Sequence, residues 1–221
     1  MNGLKKDRKF KAVVFDMDGV LLDSERITRI MWKKAGEEYK ISDVETAVRD
    51  CTGCARPDQW VYLKKKYGED FPAKEFRERC SFLFHEYADK QGLPLMPYAR
   101  EILLYLKGRG YRLSLASSTR EETVIRELKE ASLFDFFETI TCGDSVAHSK
   151  PDPEIYAKAC ASLSLLPEEC AAVEDSPNGI LSAYGAGLSP IMVVDQIEAD
   201  QDLIPKLYRL CRSLKELELF L

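Results

Sequence analysis

The sequence predicts an α/β fold, in which helices cover a parallel sheet and a helical segment is inserted after the first strand. Short apolar strands alternate with helical patterns along most of the chain. The interval 24–92 breaks this rhythm, because it has helical patterns and no convincing strand. Alternating strands and helices are typical of a parallel sheet that is covered on both faces.

The elements follow in order along the chain. Strands are predicted at residues 12–15, 112–116, 138–141, 171–173 and 191–194, with a weaker one at 207–210. Helices are predicted between most of them, at 98–107, 121–131, 153–163 and 177–184. Proline and glycine lie mostly at the edges of these helices, where they start and stop helical structure.

The inserted interval has helical patterns at 27–35, 44–48, 60–67 and 73–87. A simple crossover between two parallel strands needs far fewer residues than this. We therefore expect two domains: an α/β core made of residues 1–23 and 93–221, and a helical cap domain made of residues 24–92.

Composition limits the partners of the chain. Its 221 residues are 45% hydrophobic and 31% charged, which is ordinary for a globular protein. The net charge of -5 argues against a nucleic-acid-binding protein. No apolar run is long enough to span a membrane, and the charged start of the chain lacks the apolar core of a signal peptide. We expect a cytoplasmic protein that binds neither nucleic acid nor membrane, and a monomer by default.

The seven cysteines do not suggest a disulfide framework, because their number is odd and they lie in ordinary segments. Cys51 and Cys54 have the spacing of a redox or zinc half-site. The other cysteines and the two histidines offer no second ligand pair at a recognisable spacing. We interpret the spacing as coincidence, although a redox role stays open.

Polar residues follow four of the predicted strands. They are Asp16 and Asp18; Ser117, Ser118 and Thr119; His148, Ser149 and Lys150; and Glu174 and Asp175. In a parallel α/β sheet ligands bind beyond the carboxyl ends of the strands, so these groups are expected to converge. Such a set of acids, hydroxyls and one lysine fits phosphoryl transfer with bound Mg²⁺. An aspartate can serve as the nucleophile, and a second carboxyl group can move the proton.

Four motifs in this order resemble those of the haloacid dehalogenase (HAD) superfamily. They are DMDGV at 16–20, Ser117 in LASS, Lys150 in SKPDPEIY, and VEDSPNGI at 173–180. The resemblance covers essentially the whole chain and is closest to the branch that contains β-phosphoglucomutase and small sugar phosphatases. It implies a Rossmann-like core with a helical cap.

The resemblance also implies a role for each core residue. Asp16 would attack phosphorus, and Asp18 would protonate the leaving oxygen and then activate water. Ser117 would hold a phosphoryl oxygen, with Ser118 beside it as a substrate-binding residue, and Lys150 would bridge the phosphate and the nucleophile. The residues implied for Mg²⁺ are Asp16, the backbone carbonyl of Asp18, Asp175, and Glu174 as a further ligand or as a partner of the ligands.

Asp18 separates two activities within the superfamily. A haloacid dehalogenase needs no acid for a departing halide and typically lacks an aspartate at this position. The aspartate therefore favours a phosphate ester with an alkoxide leaving group.

The cap residues match the family least. Arg56, in the sequence GCAR, resembles a G-x-x-R loop that binds the non-reacting part of the substrate, although it could also be a solvated arginine at a helix start. The cap-hinge histidine of the mutase falls at Thr28, and its cap lysine falls near His85. His85 could bind substrate or pack on the apolar side chains that precede it.

The sequence thus favours an Mg²⁺-dependent phosphatase of a small phosphorylated metabolite, most simply a sugar phosphate. A β-phosphoglucomutase-like mutase is the alternative. A catalytically weak module that binds a phosphorylated ligand or a protein is less favoured, because a pure binder would not need both Asp16 and Asp18.

Overall fold

Six parallel strands form one sheet in the described part of the chain, which comprises residues 10–51, 56–195 and 199–221 of a computed structural model. The strands are β1 (Ala12–Phe15), β2 (Arg112–Ser117), β3 (Thr139–Cys142), β4 (Cys170–Glu174), β5 (Ser189–Val193) and β6 (Arg209–Cys211). Their order is β3-β2-β1-β4-β5-β6, and each neighbouring pair is parallel. The predicted Rossmann-like α/β fold is confirmed.

The chain divides into two compact units. One combines Met1–Asp23 with Pro94–Leu221 and contains the sheet, and the other is Ser24–Leu93. The helices of the second unit are α1 (Ser24–Glu38), α2 (Val44–Cys51), α3 (Arg56–Tyr67) and α4 (Ala73–Gln91). The helices of the first unit are α5 (Ala99–Gly108), α6 (Glu121–Glu130), α7 (Glu154–Ser162) and α8 (Pro177–Gly185).

The central strand β1 is buried on both faces. Ala12 and Val14 belong to an apolar cluster with Ile155 and Ala159 of α7. Successive side chains of a strand alternate between faces, so Val13 points to the other face, where it is also fully buried. A strand covered on both sides must be apolar throughout, which is why the sequence of β1 predicts its place at the centre of the sheet.

The ends of β5 and β6 differ from the prediction. β5 begins at Ser189 and includes Pro190, whereas the apolar pattern predicts a start two residues later. A proline cannot donate to a strand ladder, which makes it a poor strand signal. Here its carbonyl still accepts from the Tyr208 amide at 2.6 Å, just before β6. At this position the strand therefore lacks only the hydrogen bond that a backbone amide would donate.

The helical unit has an aromatic core of its own. Trp32 of α1 meets Phe76 of α4 edge to face, with ring centroids 5.4 Å apart. Tyr39 and Phe71 also pack on Phe76. Edge-to-face contacts add to the burial of these large rings, and together they fix α1 against α4.

Tyr98 lies directly before α5 with an unusual backbone conformation. Its φ of 70° lies in the left-handed region, which glycine adopts without strain. The Tyr98 hydroxyl donates to Glu218 Oε1 at 2.7 Å. This hydrogen bond to the C-terminal segment offsets part of the backbone strain.

In the described residues no helix has the length and apolar character that crossing a bilayer would require. The described cysteines (Cys51, Cys80, Cys142, Cys160, Cys170 and Cys211) are all unbridged and buried. Cys54 lies outside the described residues, so the interpretation of the Cys51 and Cys54 spacing as coincidence stays a prediction.

Candidate active site

The carboxyl ends of β1, β2 and β4, the residues that follow them and the loop after β3 supply the polar groups of the candidate site. Asp16 follows β1 directly, and its amide still donates to the Val173 carbonyl of β4 at 2.9 Å. Ser117 ends β2 and Glu174 ends β4, so both belong to the regular sheet. The rigid strands therefore hold three of the polar residues, and the loop after β3 brings Lys150 to them.

Lys150 joins two carboxylates in the interior of the protein. Its Nζ lies 2.6 Å from Asp16 Oδ1 and 2.7 Å from Glu174 Oε1. It also donates to the Ala116 carbonyl of β2 at 3.0 Å. The Lys150 side chain is only 8% exposed, and Glu174 is fully buried. One cation between two acids leaves the cluster with an excess negative charge.

The pKa of Asp16 is raised to about 7 in this cluster. Burial is the main cause, Lys150 opposes it, and the charges of Glu174 and Asp18 add to it. The pKa of Lys150 moves upwards as well, because its two acidic partners outweigh the effect of burial. A further positive charge in the site would favour the ionised form of Asp16.

Glu174 has hydrogen-bond donors on both carboxylate oxygens. Oε1 accepts from Lys150 Nζ and from the Tyr156 hydroxyl at 2.8 Å. Oε2 accepts from Ser176 Oγ at 3.1 Å, and from the amides of Asp175 and Ser176 at 3.2 and 3.3 Å. A carboxylate saturated in this way is a better partner for Lys150 than a direct metal ligand.

Asp18 and Ser117 are linked through Thr119. The Thr119 hydroxyl donates to Asp18 Oδ2 at 3.2 Å, and the Thr119 amide donates to Ser117 Oγ at 3.1 Å. Because Ser117 accepts from this amide, its own proton can point to an oxygen of a bound anion. The side chain of Ser117 is buried at the end of β2, whereas Ser118 is exposed.

Two glycines allow the acids to pack closely. Gly19 has a φ of +76°, and a Cβ at this position would overlap Asp175 Oδ2. A Cβ at Gly179, in the first turn of α8, would overlap the carboxylate of Glu174. Glycine is therefore required beside each of the two acids that follow one another at the end of β4.

We expect Gly19→Ala to lower both activity and stability more than Gly110→Ala does. Gly110 also has a positive φ, of +84°, but no atom lies within 4 Å of a Cβ built there. The backbone strain, on the order of 1 kcal/mol, is common to both variants. The difference between their thermal melting temperatures and between their hydrolysis rates measures the clash with Asp175. Equal losses in the two variants would show that Gly19 is needed only for its backbone conformation.

Carboxylate oxygens of Asp16, Glu174 and Asp175 lie within 4.8 Å of one another, which is close enough to hold a metal ion. These are hard oxygen donors of the kind that Mg²⁺ prefers. Because both oxygens of Glu174 accept hydrogen bonds, Asp16 and Asp175 are the better placed ligands. The donor set therefore fits Mg²⁺.

The two predicted cap residues lie in the helical unit. His85 is exposed on α4, with its ring edge against Phe84 at a centroid distance of 5.6 Å. It is thus not buried on the apolar face of its helix. Arg56 begins α3, and its side chain lies outside the described residues.

Tyr156 and Ser176 are part of the site, although the sequence predicts no role for them within the motifs that contain them. Tyr156 lies on a helix face that otherwise reads as apolar core, and Ser176 reads only as the residue before a helix. A hydroxyl group on the buried face of α7, six residues after Lys150, is the signal that could have identified Tyr156.

The comparisons with known proteins identify the family. The sequence model of the haloacid dehalogenase-like hydrolases matches residues 10–187. The chain belongs to this family. A "phosphorylated carbohydrates phosphatase" of Thermotoga maritima is 30% identical over 82% of this chain and 83% of its own length. The β-phosphoglucomutase of Bacillus subtilis is 29% identical over 83% of each chain.

The fold agrees with these relatives. A HAD family hydrolase from Deinococcus radiodurans R1, solved with bound phosphate and sodium, superposes with a TM-score of 0.81. The two sequences are 26% identical, and the match covers 96% of this chain and 94% of the solved chain. The resemblance drawn from the four sequence motifs, to the HAD superfamily and its β-phosphoglucomutase-like branch, is confirmed.

Proposed function

We propose that this protein is an Mg²⁺-dependent phosphatase that hydrolyses small phosphorylated metabolites, with sugar phosphates as the preferred class. The arrangement that carries the proposal is Asp16 bound to Lys150 at 2.6 Å, with a second acid, Asp18, two residues further on. The predicted enzyme class, a phosphoric monoester hydrolase, agrees with the family and with relatives named as phosphatases.

In the first step, an Asp16 oxygen attacks phosphorus and the bond from phosphorus to the alcohol oxygen breaks. Asp18 donates a proton to that oxygen, so the substrate leaves as a neutral alcohol. Asp16 is left as an acyl phosphate. The Thr119 hydroxyl supports this role of Asp18, because it holds Asp18 Oδ2 at the edge of the site.

In the second step, the ionised Asp18 takes a proton from water, and the water oxygen attacks phosphorus. The bond from phosphorus to Asp16 breaks, which releases inorganic phosphate and restores both acids. Ser117 and Lys150 hold the phosphoryl oxygens through both steps. Asp16, the Asp18 backbone carbonyl and Asp175 would hold Mg²⁺, which when bound offsets the negative charge of the phosphoryl group.

The proposal is tested by phosphate release from a panel of phosphorylated metabolites with Mg²⁺, together with conversion of β-glucose 1-phosphate to glucose 6-phosphate. We expect release of inorganic phosphate from several sugar phosphates and no accumulation of glucose 6-phosphate. Isomerisation without net phosphate release would instead support the mutase, which the similarity to β-phosphoglucomutase keeps as the second candidate. Thr28 and the exposed His85 favour hydrolysis, since a mutase has to retain a bisphosphate intermediate.

Asp18→Asn tests the acid and base role. General acid–base groups contribute about 100- to 10,000-fold, so we expect a loss of this size in steady-state turnover of alkyl phosphates. With p-nitrophenyl phosphate, whose leaving group needs little protonation, the first step should survive. A rapid-mixing experiment should then show one equivalent of p-nitrophenol per enzyme, followed by very slow turnover. Wild-type turnover of alkyl phosphates by the variant would exclude this role.

The pKa of Asp16 predicts a pH dependence of Mg²⁺ binding. Because the pKa is raised to about 7, a proton occupies the carboxyl group at lower pH and competes with the metal. Mg²⁺ affinity, measured by calorimetry without substrate, should therefore rise through pH 7 and level off above it. An affinity that is constant between about pH 5.5 and 8 would contradict the raised value.

A further inference from the structure

Tyr156 is a buried residue of the candidate site with no role in the proposed chemistry. It lies on α7, six residues after Lys150, and its side chain is fully buried. Its hydroxyl donates to Glu174 Oε1 at 2.8 Å. Its ring centroid lies 5.0 Å from Lys150 Nζ, so the ring also faces the cation.

The Tyr156 hydroxyl and Lys150 share one acceptor atom. Glu174 Oε1 accepts from Lys150 Nζ at 2.7 Å as well as from Tyr156. Lys150 in turn divides its donors between this oxygen, Asp16 Oδ1 and the Ala116 carbonyl. The position of the ammonium group between the two acids therefore depends on how strongly each acid attracts it.

Oε2, the other oxygen of Glu174, cannot replace a hydrogen bond that is lost at Oε1. Oε2 is occupied by the Ser176 hydroxyl and two backbone amides. A Cβ at Gly179 would overlap the Glu174 carboxylate, so this carboxylate packs directly against the backbone of α8. Among the described contacts of Oε1, Tyr156 is the neutral donor beside the cation.

We propose that Tyr156 is a positioning residue that keeps Lys150 shared between Glu174 and Asp16. Its hydroxyl withdraws part of the negative charge of Glu174 Oε1 and so prevents Glu174 from capturing the ammonium group. Lys150 then stays on Asp16 and on the phosphoryl group that Asp16 attacks. A tyrosine hydroxyl is protonated near neutral pH, so it acts as a donor to Glu174.

The structural consequence can be measured without any assay of activity. We expect crystal structures of the wild-type protein and of Tyr156→Phe, grown in the same buffer, to differ at Lys150. In the variant, Nζ should remain bonded to Glu174 and lie beyond about 3.5 Å, the limit of a hydrogen bond, from Asp16 Oδ1. If Lys150 bonds both acids in the variant as in the wild type, the proposal is wrong.

The kinetic consequence rests on the proposed phosphatase function. With p-nitrophenyl phosphate and Mg²⁺, Tyr156→Phe should lower kcat by about 10- to 100-fold, as loss of a supporting hydrogen bond often does. KM should stay within about twofold, because the charge of Lys150 remains in the site. Tyr111→Phe is the matched control: its hydroxyl donates to the Leu221 carbonyl at 3.0 Å, and its kcat should not change.

Introducing Tyr156→Phe into the Lys150→Met variant distinguishes a positioning role of Tyr156 from a general loss of stability. If Tyr156 acts through Lys150, Tyr156→Phe should change the residual rate of Lys150→Met by less than about twofold. If Tyr156→Phe lowers the rate by the same factor in the wild-type protein and in Lys150→Met, the proposal is wrong. If the wild-type protein releases phosphate from none of the esters, the proposed function fails, and the two crystal structures still decide the role of Tyr156.

Discussion

Asp16→Asn is expected to lower phosphate release by at least about 1000-fold, because the amide cannot form the acyl phosphate through which both steps of the proposed mechanism pass. The amide has nearly the same shape as the carboxylate and can still accept from Lys150 through its oxygen. The loss should therefore lie in kcat, measured with p-nitrophenyl phosphate and Mg²⁺. A variant that keeps more than about a tenth of wild-type kcat would exclude Asp16 as the nucleophile.

The fold should tolerate this change. The pKa of Asp16 is raised from 3.8 to about 7, so the folded protein binds a proton there between these pH values that the unfolded chain does not. The charged carboxylate accordingly opposes folding above pH 7, and the neutral amide does not carry that cost. We expect the melting temperature of Asp16→Asn at pH 8 to be no lower than that of the wild type. Asp135→Asn, in the short 3₁₀ helix Phe134–Phe136, changes an exposed carboxylate; it is the control and should change neither quantity.

Lys150→Met is expected to reduce both activity and stability. Methionine is similar in length, but it leaves Asp16 and Glu174 facing each other without the cation that lies 2.6 and 2.7 Å from them. Removing one member of a buried ion cluster typically costs about 3–5 kcal/mol, although protonation of Asp16 will reduce that cost. Loss of the charge that holds the phosphoryl group should lower kcat/KM by about 100- to 1000-fold.

The measurements are a thermal melt and the same hydrolysis assay. Lys107→Met is the matched control, because Lys107 is exposed and donates only to the Asp135 carbonyl, at 2.7 Å, among its described hydrogen bonds. It should melt within a few degrees of the wild type and keep its activity. If Lys150→Met resembles Lys107→Met in both measurements, the buried cluster does not support the site as we describe it.

Much of the sheet could be predicted from the sequence, because its central strands are continuous apolar runs. β1 has the predicted bounds of 12–15, and β4 extends the predicted strand by one residue at each end. The polar residues that follow these strands converge for the same reason: parallel strands place their carboxyl ends along one edge of a sheet. Asp16, Lys150 and Glu174 illustrate this, since they come from three different places in the chain and meet within hydrogen-bond distance.

The hydrogen-bond partners of Glu174 could not be predicted. The family resemblance leaves Glu174 either as a further metal ligand or as a partner of the ligands, and only the structure reveals that five donors surround it. Three of these donors come from Asp175 and Ser176, but Tyr156 and Lys150 reach Glu174 through tertiary contacts. Such contacts depend on how α7 packs on the sheet, which no local pattern specifies.

The substrate is also beyond what the motifs of the core can predict. In the proposed mechanism Ser117, Lys150 and the two aspartates act on the phosphoryl group, which all candidate substrates share. We propose that Arg56 and His85 of the helical unit contribute to the choice among them, and neither lies in a motif that fixes its chemistry. The metabolite panel is therefore needed to name the alcohol that leaves.

Chemical trapping of the phosphorylated enzyme tests the central claim most directly. Borohydride reduces an acyl phosphate to an alcohol, so an aspartyl phosphate quenched in acid during turnover and then reduced becomes homoserine. With p-nitrophenyl phosphate and Mg²⁺, peptide mass spectrometry should find homoserine at position 16, and more of it in Asp18→Asn, where the second step is slow. Homoserine at position 18 of the wild-type protein would contradict the assignment of Asp16 as the nucleophile. The assignment would also be contradicted by an Asp18→Asn sample that has released its equivalent of p-nitrophenol but contains no homoserine.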